Sequence, residues 1–300
     1  MPGRQRFCAM GARVKILLCN TGRGGEQCIF TSIVHAYRET FPEAEICVAT
    51  CPQYENLWAL NRDHNTWIPI RYEETDKFPG DPVGACHDLM REMMGRFDII
   101  EYPCECNAGG GKALTTLDKC YSCIKNPVFA IEAIERRTFI APTESDIKKA
   151  EDIVAKCSPY VLLSNGANSM KHPLSKDGYN RLSCALVKKI STIQIGTRGG
   201  NHMPCDPSID YARDFRDVGL GVTYLLGQQM KYFIGMETLP TFLMSNSTAQ
   251  MIIMRGDPEF PITNTGLVNM GFRQPHNTHE LEVFGQSDDT IIKTILEIIG

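Results

Sequence analysis

The sequence lacks any run of about 18 apolar residues, the length that a membrane-spanning helix needs. Its first apolar stretch, residues 14–18, is too short for the core of a secretion signal. A strong excess of one charge is also missing, since 31 Lys and Arg residues stand against 35 Asp and Glu residues. We therefore expect a soluble cytosolic protein that holds any phosphate group locally, with no general nucleic-acid binding.

Low-complexity segments and repeats of solenoid length are absent as well. The 300 residues, 43% of them hydrophobic, are enough for two domains of about 150 residues, each with its own core. A disordered or fibrous protein is thereby excluded.

Strands and helices alternate along both halves of the sequence. The first half opens with a buried strand at 14–19, a glycine-containing loop and an amphipathic helix that stops near Phe41-Pro42. The second half repeats this order with a strand at 160–164, a loop and a helix at 175–189. Alternation of this kind indicates parallel sheets. We predict an α/β protein of two Rossmann-like domains that face each other across a cleft.

The division between the domains is expected at Ser158-Pro159. Residues 143–157 carry acidic residues early and Lys residues late, as a helix dipole favours, and this helix stops before the proline. The domains are therefore set at 1–157 and 158–300. Further helices are predicted at 54–60, 83–97, 127–137, 222–229, 238–246 and 288–299, and further strands at 45–50, 67–70, 97–100, 192–196, 231–235 and 250–254.

The loop between the first strand and the first helix is a candidate binding site. Gly24 and Gly25 let backbone N–H groups approach an anion or a sugar. The glycines do not fit G-x-G-x-x-G or a phosphate loop, so a simple tight turn is the alternative. Glu26 could take a proton from a hydroxyl nucleophile, although the helix dipole alone also favours a carboxylate there.

Four of the thirteen cysteines lie in residues 103–126, which lack sustained periodicity and are expected to form an irregular loop or a small inserted element. Cys104-x-Cys106 and Cys120-x-x-Cys123 are separated by thirteen residues. Two such pairs could close a thiolate site for structural zinc or iron, which would stabilise a loop that lacks a core. Reduced, inert thiols and a disulfide are the alternatives.

The opening of the sequence resembles glycosyltransferase family 9, the heptosyltransferases of lipopolysaccharide assembly and their relatives. The similarity covers the first strand, Gly24-Gly25-Glu26, the helix that follows and the strand at 45–50. In that family the loop usually reads Gly-Asp, and the Asp is taken as the catalytic base. Glu26 stands in its place here.

Two later segments are also similar to that family. Residues 162–167, with Lys171-His172-Pro173 after them, resemble a small-residue loop that the family follows with Lys and Trp-Pro. A second segment resembles Asp-Ser/Thr-Gly-x-x-His, where Glu237 replaces the Asp, Thr238 matches and Phe242 replaces the His.

This resemblance implies a GT-B fold and an inverting transfer of a sugar from a nucleoside-diphosphate sugar to an acceptor hydroxyl, with no metal needed for transfer. Glu26 would be the base, and Lys171 would neutralise the donor phosphate. The other positions implied to bind substrate or nucleotide are Gly24, Gly25, Asn165, Gly166, Glu237 and Thr238. The sugar would be a heptose or a hexose-like unit. The acceptor would be a saccharide, a protein or a lipid-linked molecule, and the last would bring the protein to the inner face of a membrane.

Two other functions stay open. The replaced family residues also fit a non-catalytic relative that binds a nucleotide or a partner, and the cysteines fit a metal-stabilised Rossmann-like protein of another class. Nucleotide affinity without sugar transfer would favour the first. A tightly bound transition metal without nucleotide affinity would favour the second.

Overall fold

The computed structural model describes residues 13–72, 81–104, 116–125, 127–164, 173–196, 213–214, 218–236, 238–255 and 277–300. The chain divides into two compact units, Met1–Ile140 and Ala141–Gly300. Each unit contains one sheet, and every strand pairing within the described residues is parallel. The predicted α/β class with two parallel sheets is confirmed.

Unit 1 is built around a four-stranded sheet of order β3-β2-β1-β4. Its elements are β1 (Lys15–Asn20), α1 (Gly24–Thr40), β2 (Glu45–Thr50), α2 (Glu55–Trp58), β3 (Thr66–Pro69), α3 (Pro82–Met93), β4 (Ile99–Glu101) and α4 (Thr116–Ser122). β1 and β2 lie inside the sheet and are buried along nearly their whole length, as their continuous runs of Ile, Leu, Val and Cys require.

The register of β4 against β1 defines the edge of the sheet that matters for function. Leu18 lies opposite Glu101, the last residue of β4. Because the two strands are parallel, the residues that follow each of them continue past the same carboxyl edge of the sheet. Segments that are more than 80 residues apart in sequence therefore meet there, as hydrogen bonds from Asn20 and Thr21 to residues 102–104 show.

Unit 2 contains a six-stranded sheet of order β10-β9-β8-β5-β6-β7. Its elements are α5 (Glu144–Cys157), β5 (Tyr160–Ser164), α6 (Lys176–Val187), β6 (Ser191–Ile195), β7 (Arg213–Asp214), α7 (Leu220–Gln229), β8 (Tyr232–Met236), α8 (Leu239–Leu243), β9 (Gln250–Arg255), β10 (Thr278–Glu282) and α9 (Asp288–Ile299). Residues of α6 and α9 pack with those of β5, β8 and β9 into one apolar core.

One predicted helix differs from the structure. The helix expected over 127–137 is reduced to a single 3₁₀ turn, Ile131–Ala133. The ring of Phe129 packs edge-on against Tyr37 of α1, with centroids 5.0 Å apart, and the carbonyl of Arg137 accepts a hydrogen bond from Ser32. Contacts with α1 thus hold this segment in an irregular path, which local periodicity could not indicate.

α4 and β10 have no counterpart among the predicted helices and strands. Part of the segment 103–126 forms a regular helix, α4, which packs against α1. β10 was not predicted, because its sequence Thr-His-Glu-Leu-Glu is mostly polar and lacks the apolar pattern of a strand. It lies at the edge of the sheet, where pairing with β9 alone is enough to form a strand.

The two compact units divide before α5, whereas the sequence placed a boundary after Cys157. α5 begins with a capping box formed by Thr143 and Asp146, and it contacts α7 and β6 of unit 2. Its buried face consists of Ala150, Ile153 and Cys157. Because these apolar side chains are buried in unit 2, α5 belongs to that unit.

We expect a fragment of residues 141–300 to unfold in one cooperative transition, and a fragment of residues 158–300 to be much less stable. Removal of α5 exposes the apolar surface that it covers on α7 and β6, and each buried aliphatic side chain is worth about 1.5–3 kcal/mol. Urea unfolding followed by circular dichroism measures both fragments. Equal stabilities would contradict the assignment of α5 to unit 2.

Candidate functional site

The candidate site of unit 1 lies where β1 ends and α1 begins. Asn20 is the last residue of β1, and Glu26 lies in the first turn of α1. Gly24 and Gly25 open this helix and are half-buried, so their backbone N–H groups lie at its positive end. The structure therefore places three sequence-predicted residues, Gly24, Gly25 and Glu26, at the carboxyl edge of a parallel sheet, where ligands bind in open α/β folds.

The half-buried carboxylate of Glu26 is held by two donors from different parts of the chain. The amide Nδ2 of Asn20 donates to Oε1 over 3.2 Å, and the thiol of Cys120 in α4 donates to the same atom over 3.5 Å. A solvated helix-terminal carboxylate would not need such partners. The arrangement orients the carboxylate instead of leaving it to rotate in water.

Position 22 of this loop requires glycine, because the side chain of Glu26 approaches its backbone closely. A Cβ atom at residue 22 would lie 2.0 Å from Oε2 of Glu26, far inside van der Waals contact. The backbone N–H of Gly22 also donates to Oδ1 of Asn20 over 2.7 Å. The absence of a side chain at this position thus lets the carboxylate pack against the loop.

Thr21 and Tyr102 form the wall of the site beside Asn20. Their hydroxyl groups are hydrogen-bonded to each other, and Oγ1 of Thr21 lies 3.6 Å from the Sγ atom of Cys104. Burial raises the pKa of Tyr102 well above its usual value. The phenol therefore stays neutral and acts as a fixed hydrogen-bonding partner of Thr21.

The cysteine pairs lie close to this site, but their described members bond to other groups. Cys120 donates to Glu26, whereas Cys123 donates to the carbonyls of Cys104 and Lys119 over 3.4 and 3.3 Å. Cys104, Cys120 and Cys123 form no disulfide with another described cysteine. Within the part of the chain that the structure describes, no group of three His, Cys, Asp or Glu residues is arranged to hold a metal ion. Cys106 lies outside the described residues, so a four-cysteine site stays a prediction.

The predicted residues of unit 2 are described only in part. Asn165, Gly166, Lys171 and Glu237 lie outside the described residues. Thr238 is half-buried at the start of α8, and its hydroxyl donates to the carbonyl of Met236 over 3.4 Å.

Sequence reasoning missed the residues that hold Glu26 in place. Asn20 and Gln27 are amides beside the glycine loop, and both are wholly buried. The one local signal was the polar Asn20 at the end of the apolar run of β1. Cys120 was proposed as a metal ligand and not as a partner of Glu26. Its position depends on how α4 packs against α1, which no local pattern encodes.

Two Rossmann-like domains with parallel sheets define the class of the fold, which is the GT-B fold of glycosyltransferases. No protein-family model matches the chain, and no curated protein matches it. Among the helices of the described residues, none is long and apolar enough to cross a membrane.

Particular solved structures are similar over nearly the whole chain. The glycosyl transferase family 9 protein of Veillonella parvula is 10% identical, with a TM-score of 0.64 over 96% of this chain and 90% of that one. The ADP-heptose lps heptosyltransferase II of E. coli is 10% identical, with a TM-score of 0.62 over 95% and 98% of the two chains.

A third similar structure is the E. coli heptosyltransferase WaaC with ADP, also 10% identical, with a TM-score of 0.60 over 95% and 98% of the two chains. At 10% identity these similarities show the fold alone. At the level of the fold, they confirm the resemblance to glycosyltransferase family 9 that the sequence indicated.

We expect native-state alkylation to modify Cys123 and Cys184, the two half-buried thiols among the described cysteines, before any buried one. Burial raises the pKa of Cys123, and it raises that of Cys28 to about 12, so both stay protonated at pH 8. Labelling of Cys123 should therefore be slow and rise with pH, and Cys28 should react only on unfolding. Mass spectrometry of peptides labelled before and after denaturation measures this order.

Pre-incubation with a metal chelator is the control for that experiment. Cysteines that hold no metal give the same labelling with and without chelator. Faster labelling of Cys123 after chelation would contradict metal-free thiols and support the four-cysteine metal site.

The substitution Gly22→Ala is expected to break the hydrogen bond between Asn20 and Glu26, because the new methyl group takes the place of the Glu26 carboxylate. Asn20 is wholly buried and loses this acceptor, so the free energy of unfolding should fall by about 1–3 kcal/mol. Urea unfolding and a crystal structure of the variant measure both effects. A structure in which Glu26 still accepts from Asn20 would contradict the close packing seen at residue 22.

Proposed function

We propose that the protein is a glycosyltransferase that moves a sugar from a nucleoside-diphosphate sugar to an acceptor hydroxyl with inversion, with Glu26 as the catalytic base. The observation that carries the proposal is the oriented carboxylate of Glu26 at the carboxyl edge of a parallel sheet, within a GT-B fold. Similar structures named as heptosyltransferases, one of them with ADP, support the same class of reaction.

The proposed chemistry is a single displacement. Glu26 accepts the proton of the acceptor hydroxyl while the hydroxyl oxygen forms a bond to the anomeric carbon of the donor sugar. The bond between that carbon and the phosphate oxygen breaks, and the nucleoside diphosphate leaves with the electron pair. Attack from the face opposite the leaving group inverts the anomeric carbon. The hydrogen bonds from Asn20 and Cys120 orient the carboxylate for this proton transfer.

Unit 1 would bind the acceptor, with Gly24 and Gly25 beside the base, and unit 2 would bind the donor. Lys171 would neutralise the donor phosphate, and the further nucleotide-binding positions would be Asn165, Gly166, Glu237 and Thr238. The position of Thr238, directly after the carboxyl end of β8, supports this role, since nucleotides bind at that edge in Rossmann-like domains.

A heptose or hexose-like donor and a saccharide, protein or lipid-linked acceptor follow from the family resemblance. We propose a cytoplasmic location for the same reason, with peripheral contact at the inner face of the membrane if the acceptor is lipid-linked.

A non-catalytic nucleotide-binding relative is the second candidate, and one observation favours it. Phe242, which stands where the family has His, is buried within α8 and only 4% exposed. A buried phenyl ring supplies no polar group to a donor. This candidate keeps nucleotide affinity but has no turnover.

Titration calorimetry with ADP, GDP, UDP and CDP tests the donor side. We expect one nucleoside diphosphate to bind selectively, and at about a hundred times its Kd to raise the free energy of unfolding by about 2.7 kcal/mol. The three nucleotides that do not bind serve as controls. Failure of all four to bind would contradict both candidates.

The substitution Glu26→Gln tests the base. It keeps the size of the side chain and removes its ability to take a proton, so nucleoside diphosphate release from the donor sugar should fall by a factor of about 10² to 10⁴. Nucleotide affinity should stay unchanged. Glu39→Gln, at an exposed position near the other end of α1, is the matched control and should turn over like the native protein.

Two results would overturn this proposal in different ways. Unchanged turnover in Glu26→Gln would exclude Glu26 as the base. A native protein that binds a nucleotide and never releases it from a nucleotide sugar would favour the non-catalytic candidate.

A further inference from the structure

A chain of wholly buried polar side chains leads through the interior of unit 1 to Glu26. Its members are Trp58 at the end of α2, Gln27 in α1 and Asn20 at the end of β1, all with 0% exposure. We call these three residues the amide chain. None of them is a residue that the sequence singled out for chemistry.

The contacts of the amide chain are continuous. The indole N–H of Trp58 donates to Oε1 of Gln27 over 3.0 Å. Nε2 of Gln27 donates to Oδ1 of Asn20 over 2.7 Å. Nδ2 of Asn20 donates in turn to Oε1 of Glu26 over 3.2 Å.

The direction of donation along the chain follows from chemistry at its two ends. An indole N–H can only donate, so the oxygen of the Gln27 amide must face Trp58. The nitrogen of Gln27 then faces acceptors alone, which are the side-chain oxygen of Asn20 and the carbonyls of Gly22 and Asn20. With its oxygen taken by Gln27, Asn20 must turn its nitrogen toward Glu26.

Two backbone groups agree with this direction at Asn20. Its Oδ1 also accepts the N–H of Gly22 over 2.7 Å, and its Nδ2 also donates to the carbonyl of Pro103 over 2.7 Å. If the Asn20 amide were reversed, an oxygen would face the Glu26 carboxylate and the Pro103 carbonyl, and all three are acceptors. Such a reversal would push the Glu26 carboxylate out of its present position.

We propose that Trp58 and Gln27 are positioning residues for Glu26, acting through Asn20. The indole N–H orients the Gln27 amide. The Gln27 amide then fixes the Asn20 amide together with the N–H of Gly22 and the carbonyl of Pro103, so that an N–H group points at the carboxylate. This inference rests on the proposed function of Glu26 as a base. It goes beyond that function, because the side chains of Trp58 and Gln27 would act on the carboxylate through Asn20, whose amide they orient.

The variants Gln27→Met and Trp58→Phe test the proposal by turnover. The first substitution keeps roughly the length of the side chain but removes its donor to Asn20, and the second removes the N–H that starts the chain. Because misplacement of a catalytic group by about 1 Å costs about a hundredfold, kcat should fall about a hundredfold in Gln27→Met and about tenfold in Trp58→Phe. The KM for the donor should stay within about twofold, since these residues orient the base and hold no ligand.

Trp67→Phe is the matched control. The indole N–H of Trp67 donates to Oγ1 of Thr50 over 2.9 Å, a bond of nearly the same length that lies outside the amide chain. Its loss should leave kcat unchanged. A fall in kcat of equal size in Trp67→Phe and Trp58→Phe would overturn the proposal in favour of a general loss of packing.

A spectroscopic measurement keeps the test independent of turnover. The chain has two tryptophans, so the indole region of a ¹H–¹⁵N spectrum holds two signals. In Gln27→Met the Trp58 N–H would lose its oxygen acceptor, and its proton signal should move upfield while the Trp67 signal stays in place. An unmoved Trp67 signal also shows that the variant is folded, and Trp58→Phe carries the turnover test if Gln27→Met is not.

The combined outcomes decide the proposal. A shifted Trp58 signal with reduced kcat and constant KM supports it. A shifted signal with native kcat overturns the positioning role, and an unshifted signal in folded Gln27→Met overturns the chain itself. If the native protein shows no turnover, the proposed function fails and the positioning role with it, whereas the Trp58 signal still reports separately whether the chain exists.

Discussion

The architecture of the candidate site depends on the side-chain amide of Asn20. Its four hydrogen-bonded partners are Gly22 of the loop, Gln27 and Glu26 of α1, and the segment after β4. Asn20 is wholly buried, so water cannot replace any partner that is lost. A buried amide with both ends bonded has one orientation, and that orientation places an N–H group against the carboxylate. Strand, loop and helix are therefore held in one arrangement around Glu26.

Helix α1 links this site to the rest of unit 1. Its apolar side chains fill the core beside the sheet, and its buried polar side chains hold the segment that leads out of the unit. Ser32 donates to the carbonyl of Arg137 over 2.6 Å, and Oγ1 of Thr31 accepts the N–H of Phe139 over 2.9 Å. The helix that presents Glu26 thus also sets where the chain leaves unit 1, close to the division after Ile140.

The six-stranded sheet of unit 2 supports the assignment of the fold, and it adds little to the argument for the proposed reaction. Its core of α6 and α9 against β5, β8 and β9 follows from the same alternation of apolar strands and amphipathic helices as in unit 1. The similarity to heptosyltransferase structures covers both units, at 10% identity. Sequences that are only 10% identical can share this fold, because many sequences satisfy the same packing rules. A reaction, in contrast, depends on a few side chains. The proposed function therefore depends on the geometry around Glu26 and not on the fold alone.

Strongly apolar strands were predictable because continuous burial leaves a local signal. The strands at 45–50 and 160–164 have the predicted bounds, and the first helix stops at Thr40 beside Phe41-Pro42 as expected. β10 and the segment 127–137 were not predictable, because an edge strand needs little apolar surface and because contacts with α1 overrode a weak helical pattern. Local periodicity reports which residues are buried, and it does not report the element against which they pack.

By itself the sequence determined the alternation of strands and helices, the parallel sheets and the position of Glu26 at the start of the first helix. The tertiary structure alone decided what surrounds that carboxylate. The carbonyl of Pro103 and the thiol of Cys120 lie 83 and 94 residues away in sequence from the groups that they contact. The register of β4 against β1 and the packing of α4 against α1 place these two groups at the site. The physical reason is that strand register and helix packing depend on contacts between segments that are far apart in sequence, so no short segment determines them.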